Sequence, residues 1–325
     1  QSLVDQWRLE EAQGELEAFL KKRPDDIPAR HLYARVLLSR GELFQASDQY
    51  GLLVVLDSAR AMSHRTELAF ALFYLGALDS SEMIAKSVLT SGSHIDSTAV
   101  SRTYNLLGLI DFNRGQYDHA SEKQQRSLQA ARASTSRLAE ANALRQIGVL
   151  AWYRGHADSA LVHYYLPALE LYRAVNDKMG EATTLSNIGL LYNDRSERIT
   201  SLRYQLEAFG IRKKIGDQRG LSDSYYFLTS TGIRGKTFGF LYTYRMKSLE
   251  LSTRIGYAWG REVAARSLEE FVPDAFIAYA NNENGADSIL SFSGEGRLYV
   301  KWRRAMVHLS NRRWQLSVDA LREVL

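Results

Sequence analysis

The sequence predicts an all-α solenoid of antiparallel helix pairs. Three observations carry that expectation: glycines recurring at a near-constant period, apolar residues at every third or fourth position between them, and only four prolines in 325 residues. Gly108, Gly148 and Gly189 are spaced by 40 and 41 residues, and Gly180, Gly220 and Gly260 by 40 each. A fixed period of this length marks stacked units that bury their cores against one another, so chain length alone does not count domains here.

The units follow in order along the chain as one solenoid, residues 1–325. Residues 1–24 contain "RLEEAQGELEAFLKKRP", which reads as a second helix preceded only by a stub, a partial unit. Pro24 closes that helix, and 25–59 give a whole pair in "ARHLYARVLLSRGELFQASDQYGLLVVLD". A further pair, in "RTELAFALFYLGALDSSEMIAKSVL", occupies 60–95. The units 96–135, 136–176, 177–216 and 217–256 keep the longer period. Residues 257–292 are irregular, and 293–325 give a last pair that stops while still apolar, at Val324 and Leu325. Both ends lack the polar caps a solenoid needs, which predicts a piece of a longer chain.

Two kinds of joint punctuate the units. Between units, "NDKMG", "GDQRG" and "GYAWG" place Asn176, Gly216 and Gly256 where one helix ends in a left-handed cap. Within units, "SRGELFQAS", "NRGQYDHAS" and "YRGHADSAL" set an Arg-Gly step five residues before Ala46, Ala120 and Ala160, small enough to let the paired helices approach closely. Between joints the apolar stripe is helical, as in Leu185, Ile188, Leu191 and Tyr192. Pro167 falls inside a second helix and is expected to bend it or mark its broken start. Thr229 stands where other units have a mid-helix glycine.

These residues resemble the tetratricopeptide repeat. "LSNIGLLYNDRSERITSLRYQLEAFGIRKKIGDQRG" is similar to the variant with about 40 residues per unit, and the N-terminal units to the form with roughly 34. The resemblance implies a right-handed superhelix with the first helix of each pair on a concave wall that binds extended or helical peptides. Projecting the first helices onto that wall gives Phe70, Phe73 and Tyr74 in one unit, then Arg102, Asn105 and Asn113. Asn142, Arg145, Trp152 and Tyr153 come next, followed by Asn193 and Tyr226. Asparagine can hold a peptide backbone, arginine can clamp a carboxylate, and aromatic rings supply anchor area, so the set suits an acidic or carboxylate-bearing peptide. The competing reading gives the aromatics to the core between repeats and the Asn/Arg set to solvent.

Catalytic and cofactor signatures are weak. "STGIRGKT" at Ser230 to Thr237 ends like a phosphate-binding loop, and "LLVVLD" at Leu52 to Asp57 imitates its metal-binding strand. However, Arg234-Gly235 lies two periods after Arg154-Gly155, so its glycine is a turn between paired helices. With no cysteine, thiolate metal sites and cysteine nucleophiles are excluded. The seven histidines are scattered. "NNENGADS" lacks the first and last ligands of a calcium loop, and "SGEGRL" is a lone Gly-x-Gly. No cofactor is expected, and no enzyme.

No apolar run is long enough to span a bilayer, which leaves the compartment open, the cytoplasm ahead of the periplasm. A formal charge of +4 mildly favours acidic partners. The leading function is a non-catalytic scaffold for a protein or peptide. The alternative is the ligand-sensing arm of a larger signalling protein such as a histidine kinase, cyclase or transcription regulator, in which the partner is another segment of the same chain. A nucleic-acid solenoid, resting on "KWRRAMVHLSNRRWQ" with Arg303, Arg304, Arg312 and Arg313, is a disfavoured third reading.

Overall fold

A computed structural model describes residues 2–91, 96–230 and 238–269, and every regular element among them is helical. A short α1 (Ser2–Asp5) precedes α2 (Leu9–Lys22), and pairs follow: α3 (Ile27–Arg40) with α4 (Leu43–Leu56), α5 (Ala61–Tyr74) with α6 (Leu78–Thr90), and α7 (Ser97–Asn113) with α8 (Tyr117–Ala133). The partner of α9 (Arg137–Tyr153) is interrupted: α10 (Ala157–Ser159), a π-helical turn (Ala160–Tyr165), then α11 (Leu166–Ala174). After these come α12 (Lys178–Asp194) with α13 (Arg198–Ile215), α14 (Gln218–Ser230) with α15 (Phe238–Ile255), and α16 (Ala258–Glu269). From α7 onward the first helices start at 97, 137, 178, 218 and 258, steps of 40 or 41 residues.

Local chemistry explains the punctuation. At the joints between units, Thr135, Asn176, Gly216 and Gly256 all take positive φ. At three of these joints the next residue caps the following helix: Ser136, Asp177 and Asp217 accept the backbone N–H three residues on, at 3.3, 2.7 and 2.8 Å. Inside the units, Gly41, Gly115 and Gly155 of the Arg-Gly steps also have positive φ. Arg154 of one such step reaches Asp118 of the unit before it at 2.6 Å, and Arg195, before the positive-φ Ser196, reaches Asp158 in the same way at 2.5 Å. The acids are almost fully exposed, so each pair contributes little, about 0–1 kcal/mol.

Mid-helix glycines set the packing within a pair. Gln124 lies over Gly108 and donates to the Asn105 carbonyl at 3.0 Å, and Gln205 lies over Gly189 and donates to the Ser186 carbonyl at 2.9 Å. At Gly148 the visitor is the ring of Tyr165, 2.7 Å from where a Cβ would stand. Tyr165 closes the π-helical turn, and Pro167, two residues on, brings no N–H to the helical ladder. The expected break at Pro167 is therefore a π turn. Ala46, Ala120 and Ala160 are fully buried at the helix crossings.

The described helices do not stop at an open curve. Leu43, Ile255 and Tyr257 form one buried cluster with Leu38, Tyr74, Leu75 and Leu251, joining α3, α4 and α5 to α15 and α16. Gln218 donates to Glu42 at 2.8 Å across the same seam. Three glycines make the approach: a Cβ on Gly41 would stand 3.0 Å from that of Arg219, on Gly76 2.8 Å from that of Ala258, and on Gly256 2.9 Å from Leu75 and closer still to Phe44. Gly115, Gly155 and Gly216 share the left-handed backbone but have nothing within 4 Å. The concave side of the superhelix thus surrounds a central space, closed laterally where the early and late helices meet.

The segment preceding "STGIRGKT" is helix: Thr229 lies in α14 and donates its hydroxyl to the Tyr226 carbonyl at 2.6 Å. Leu52 to Leu56 lie in α4. Residues 231–237 and everything after Glu269, including the C-terminal arginines and "NNENGADS", are outside the described residues.

Glycine at the seam should matter more than glycine at a free turn. Gly115→Ala is expected to cost about 1–2 kcal/mol for the left-handed backbone alone, whereas Gly256→Ala adds a collision with Phe44 and Leu75 and should cost clearly more. Denaturant unfolding of the two variants side by side checks the ranking.

Candidate functional site

The central space is a partly open cavity of about 850 Å³, within the size range of ligand pockets. Its walls are mainly the first helices of the pairs. His31, Arg35 and Leu38 come from α3, Glu67, Phe70 and Tyr74 from α5, and Arg102 and Asn105 from α7. Asn142 and Arg145 come from α9, Asp177 and Gly180 from the start of α12, and Arg219 from α14. At one end the turn between α1 and α2 crosses the space. Trp7 packs beside Val36 of α3 and donates its indole N–H to the Asn176 carbonyl at 2.8 Å, on the opposite wall.

Six of the twelve sequence-predicted residues line this cavity: Phe70, Tyr74, Arg102, Asn105, Asn142 and Arg145. Phe73 instead packs behind Phe70 and lies edge-on to Tyr74 at 5.3 Å. The other five occupy more distal positions. Asn113 is exposed and donates back to the Leu109 carbonyl, Trp152 donates to Asp194 at 3.0 Å, and Tyr153 is 58% exposed against Phe112 and Tyr117. Asn193 sits in the last turn of α12, and Tyr226 lies edge-on to Phe227 and Trp259. A helix of 17 residues is about 25 Å long, so residues of one face separate into cavity and rim.

The cavity is cationic. Four arginines, Arg35, Arg102, Arg145 and Arg219, face two carboxylates, Glu67 and Asp177. Arg102 is spoken for: it pairs with Glu67 at 2.5 Å and lies 5.1 Å from the centre of the Phe70 ring. Arg145 donates through Nε to the Tyr172 hydroxyl at 3.3 Å, and that hydroxyl donates to Asn142 Oδ1 at 2.8 Å. Burial raises the Asp177 carboxyl, while Arg145 and Arg102 pull it down through space. Burial, with His64 and Arg35 nearby, pushes His31 below its ordinary 6.5, so its imidazole is neutral at physiological pH. Asn105 is nearly buried, its amide donating to Gln124 at 3.2 Å, which limits what it can offer a ligand.

Arg219 and its surroundings were not legible in "GDQRG", which reads as punctuation. The guanidinium stands 4.0 Å over the Tyr74 ring and 5.9 Å from that of Tyr257, two residues that also build the seam. Behind it sits a buried ionic group. Arg212 donates to Ser224 at 2.7 Å, Asp217 caps α14, and burial raises Asp223 to about 6 against the pull of Arg212 and Arg219. No group of three or more metal-ligating side chains occurs among the described residues, and none of their helices is long and apolar enough to cross a membrane.

The described helix pairs form a repeat solenoid around a charged cavity. Residues 182–215, most of α12 and α13, match the model of the tetratricopeptide repeat. No curated protein matches the chain in sequence. Among solved structures it is similar to a Rap protein complexed with competence and sporulation factor, at 12% identity and a TM-score of 0.63, over 100% of this chain and 89% of that one. It is also similar to the human IFIT1 dimer with PPP-AAAA, at 12% identity and TM-score 0.54, covering 97% and 68% of the two chains. A chain of the APC/C hetero-tetramer Cut9–Hcn1 matches at 15% identity and TM-score 0.52, over 81% of this chain and 47% of that one, so this chain spans about half its length. At these identities the likeness is one of fold. The described helices share the fold of tetratricopeptide-repeat solenoids.

The ionic group gives a pH signature. Asp223 is raised from 3.8 to about 6 in the folded chain, so the stability it contributes is full below pH 3.8 and is lost as pH rises through 6. Asp223→Asn should flatten the fall in unfolding free energy between pH 4 and 7. An unchanged slope in denaturant titrations would assign it to another group.

Proposed function

We propose that the chain is a non-catalytic interaction module that holds an acidic or carboxylate-bearing peptide inside its cavity. The observation that carries this reading is Arg145: it faces the cavity beside Asn142, is oriented by Tyr172, and makes no ion pair among the described residues. Both terminal nitrogens also donate to the Gln146 side-chain oxygen, at 3.1 and 3.3 Å, which fixes the guanidinium and leaves one further N–H on each for a carboxylate. Arg35, exposed on the same wall, adds a second cation with no ion pair among the described residues, and Tyr74 and Phe70 add apolar area. The similar Rap structure contains competence and sporulation factor, which is in keeping with a ligand held by this fold. We read residues 1–325 as one solenoid, and the closed seam favours, as the second reading, a ligand-sensing arm over a passive scaffold.

Affinity for an acidic peptide should fall by about 1.5–3 kcal/mol in Arg145→Ala, the range for a hydrogen bond to a charged group. Arg102→Ala should act differently, because it strands Glu67 in the cavity and so repels the same peptide while also lowering stability. Added salt should weaken binding only modestly for so enclosed a pair. Peptide capture by wild type and both variants, after circular dichroism has matched their helicity, is the measurement. Equal capture by Arg145→Ala would move the site elsewhere.

A further inference from the structure

The walls of the cavity form a closed circuit: α3, α5, α7, α9, the start of α12, α14, and back to α3 through the Gly41–Arg219 approach and the Gln218–Glu42 bond. One end of the circuit is crossed by Trp7. An open groove can take a segment in the middle of a folded protein, because such a segment enters sideways. A closed circuit cannot, since both ends of the segment stay attached to the partner's body. Resting on the peptide reading above, we infer that the seam selects the class of ligand: with it shut, the cavity takes a short linear acidic peptide with a free end and rejects the same sequence held in a folded partner.

Several features suit the seam to this role. Its apolar contact is small, chiefly Leu38, Leu43, Tyr74 and Leu75 against Leu251, Ile255 and Tyr257. Interfaces of modest size open without unfolding the units on either side, since each repeat is held mainly by its neighbours. Three seam residues also face the cavity: Leu38 and Tyr74 line it from one side of the seam, and Arg219, stacked on Tyr74, from the other. A ligand touching both sides binds the closed form better than the open one, so occupancy and closure reinforce each other.

The experiment exploits the absence of cysteine. Glu42→Cys/Gln218→Cys in the full chain, bridged by a short bis-maleimide, locks the seam, and Ile255→Asp, which buries a charge in it, opens it. The probes are a pool of free acidic hexapeptides, the members it yields being identified by mass spectrometry, and the best of them grafted into a loop of a small folded carrier. The locked protein should retain the free peptide within about threefold and reject the grafted one, while the open variant should bind the grafted one at least about tenfold better than the locked form does. Loss of the free peptide on locking, or equal binding of the grafted peptide by locked and open forms, would overturn the inference. The same assay separates the underlying reading: if no free peptide is retained by wild type, or Arg145→Ala retains as much, the peptide site itself is wrong and the inference falls with it. Double-cysteine protein without cross-linker controls for the substitutions, and helicity is matched throughout.

Discussion

Close backbone approach at glycine underlies each level of this structure. Within a pair, Gly108, Gly148 and Gly189 admit Gln124, Tyr165 and Gln205 from the second helix into space that any Cβ would fill. The visiting glutamines then bond to backbone carbonyls, which makes the crossing both tight and polar-satisfied. Across the seam, Gly41, Gly76 and Gly256 do the same between units distant in sequence. Close packing at glycine thus recurs both within pairs and at the seam that closes the helices laterally around the cavity.

Enclosure changes what the arginines mean. On an open wall, Arg35 and Arg145 would be solvated cations worth little to a ligand, because bulk water screens them. In the cavity, Arg145 is half-buried beside Tyr172 and Asn142, where electrostatic interactions gain strength, whereas Arg35 lines the cavity and stays exposed. The chain also withholds charge: Arg102 is neutralised by Glu67, and His31 is held uncharged by burial. The remaining excess positive charge is thus concentrated toward Arg35, Arg145 and Arg219.

The helix-pair architecture was legible because it rests on local, periodic signals. Positive-φ joints at Asn176, Gly216 and Gly256, the Arg-Gly turns and the break near Pro167 each depend on residues within a few positions of one another. The site was half legible. Tyr74, Arg102, Asn142 and Arg145 could be projected from helical phase, but phase does not say how far along a helix the cavity extends, which is why Asn113 and Tyr153 lie at the rim. The seam was not legible. Glu42 and Gln218 are 176 positions apart, and Gly256 reads the same as Gly216 in sequence although only one of them abuts another unit.

That last contrast bears on how a repeat protein comes to bind anything in particular. Gly216 and Gly256 serve one local purpose, ending a helix, and share one backbone geometry. What separates them is the accumulated rotation of the repeats between, which brings Gly256 against Phe44 and Leu75 and leaves Gly216 facing nothing. The same holds for the arginines of the joints, since Arg219 faces the cavity because α14 closes the circuit, and not because of any feature of "GDQRG". In such a chain, a residue added to or removed from one repeat would shift the phase of every later one. The cavity's chemistry would then change without substitution of any residue that lines it. Repeat length is therefore a determinant of specificity alongside the side chains themselves, and the uniform steps of 40 and 41 residues from α7 to α16 keep Arg145, Asp177 and Arg219 on the same inner wall.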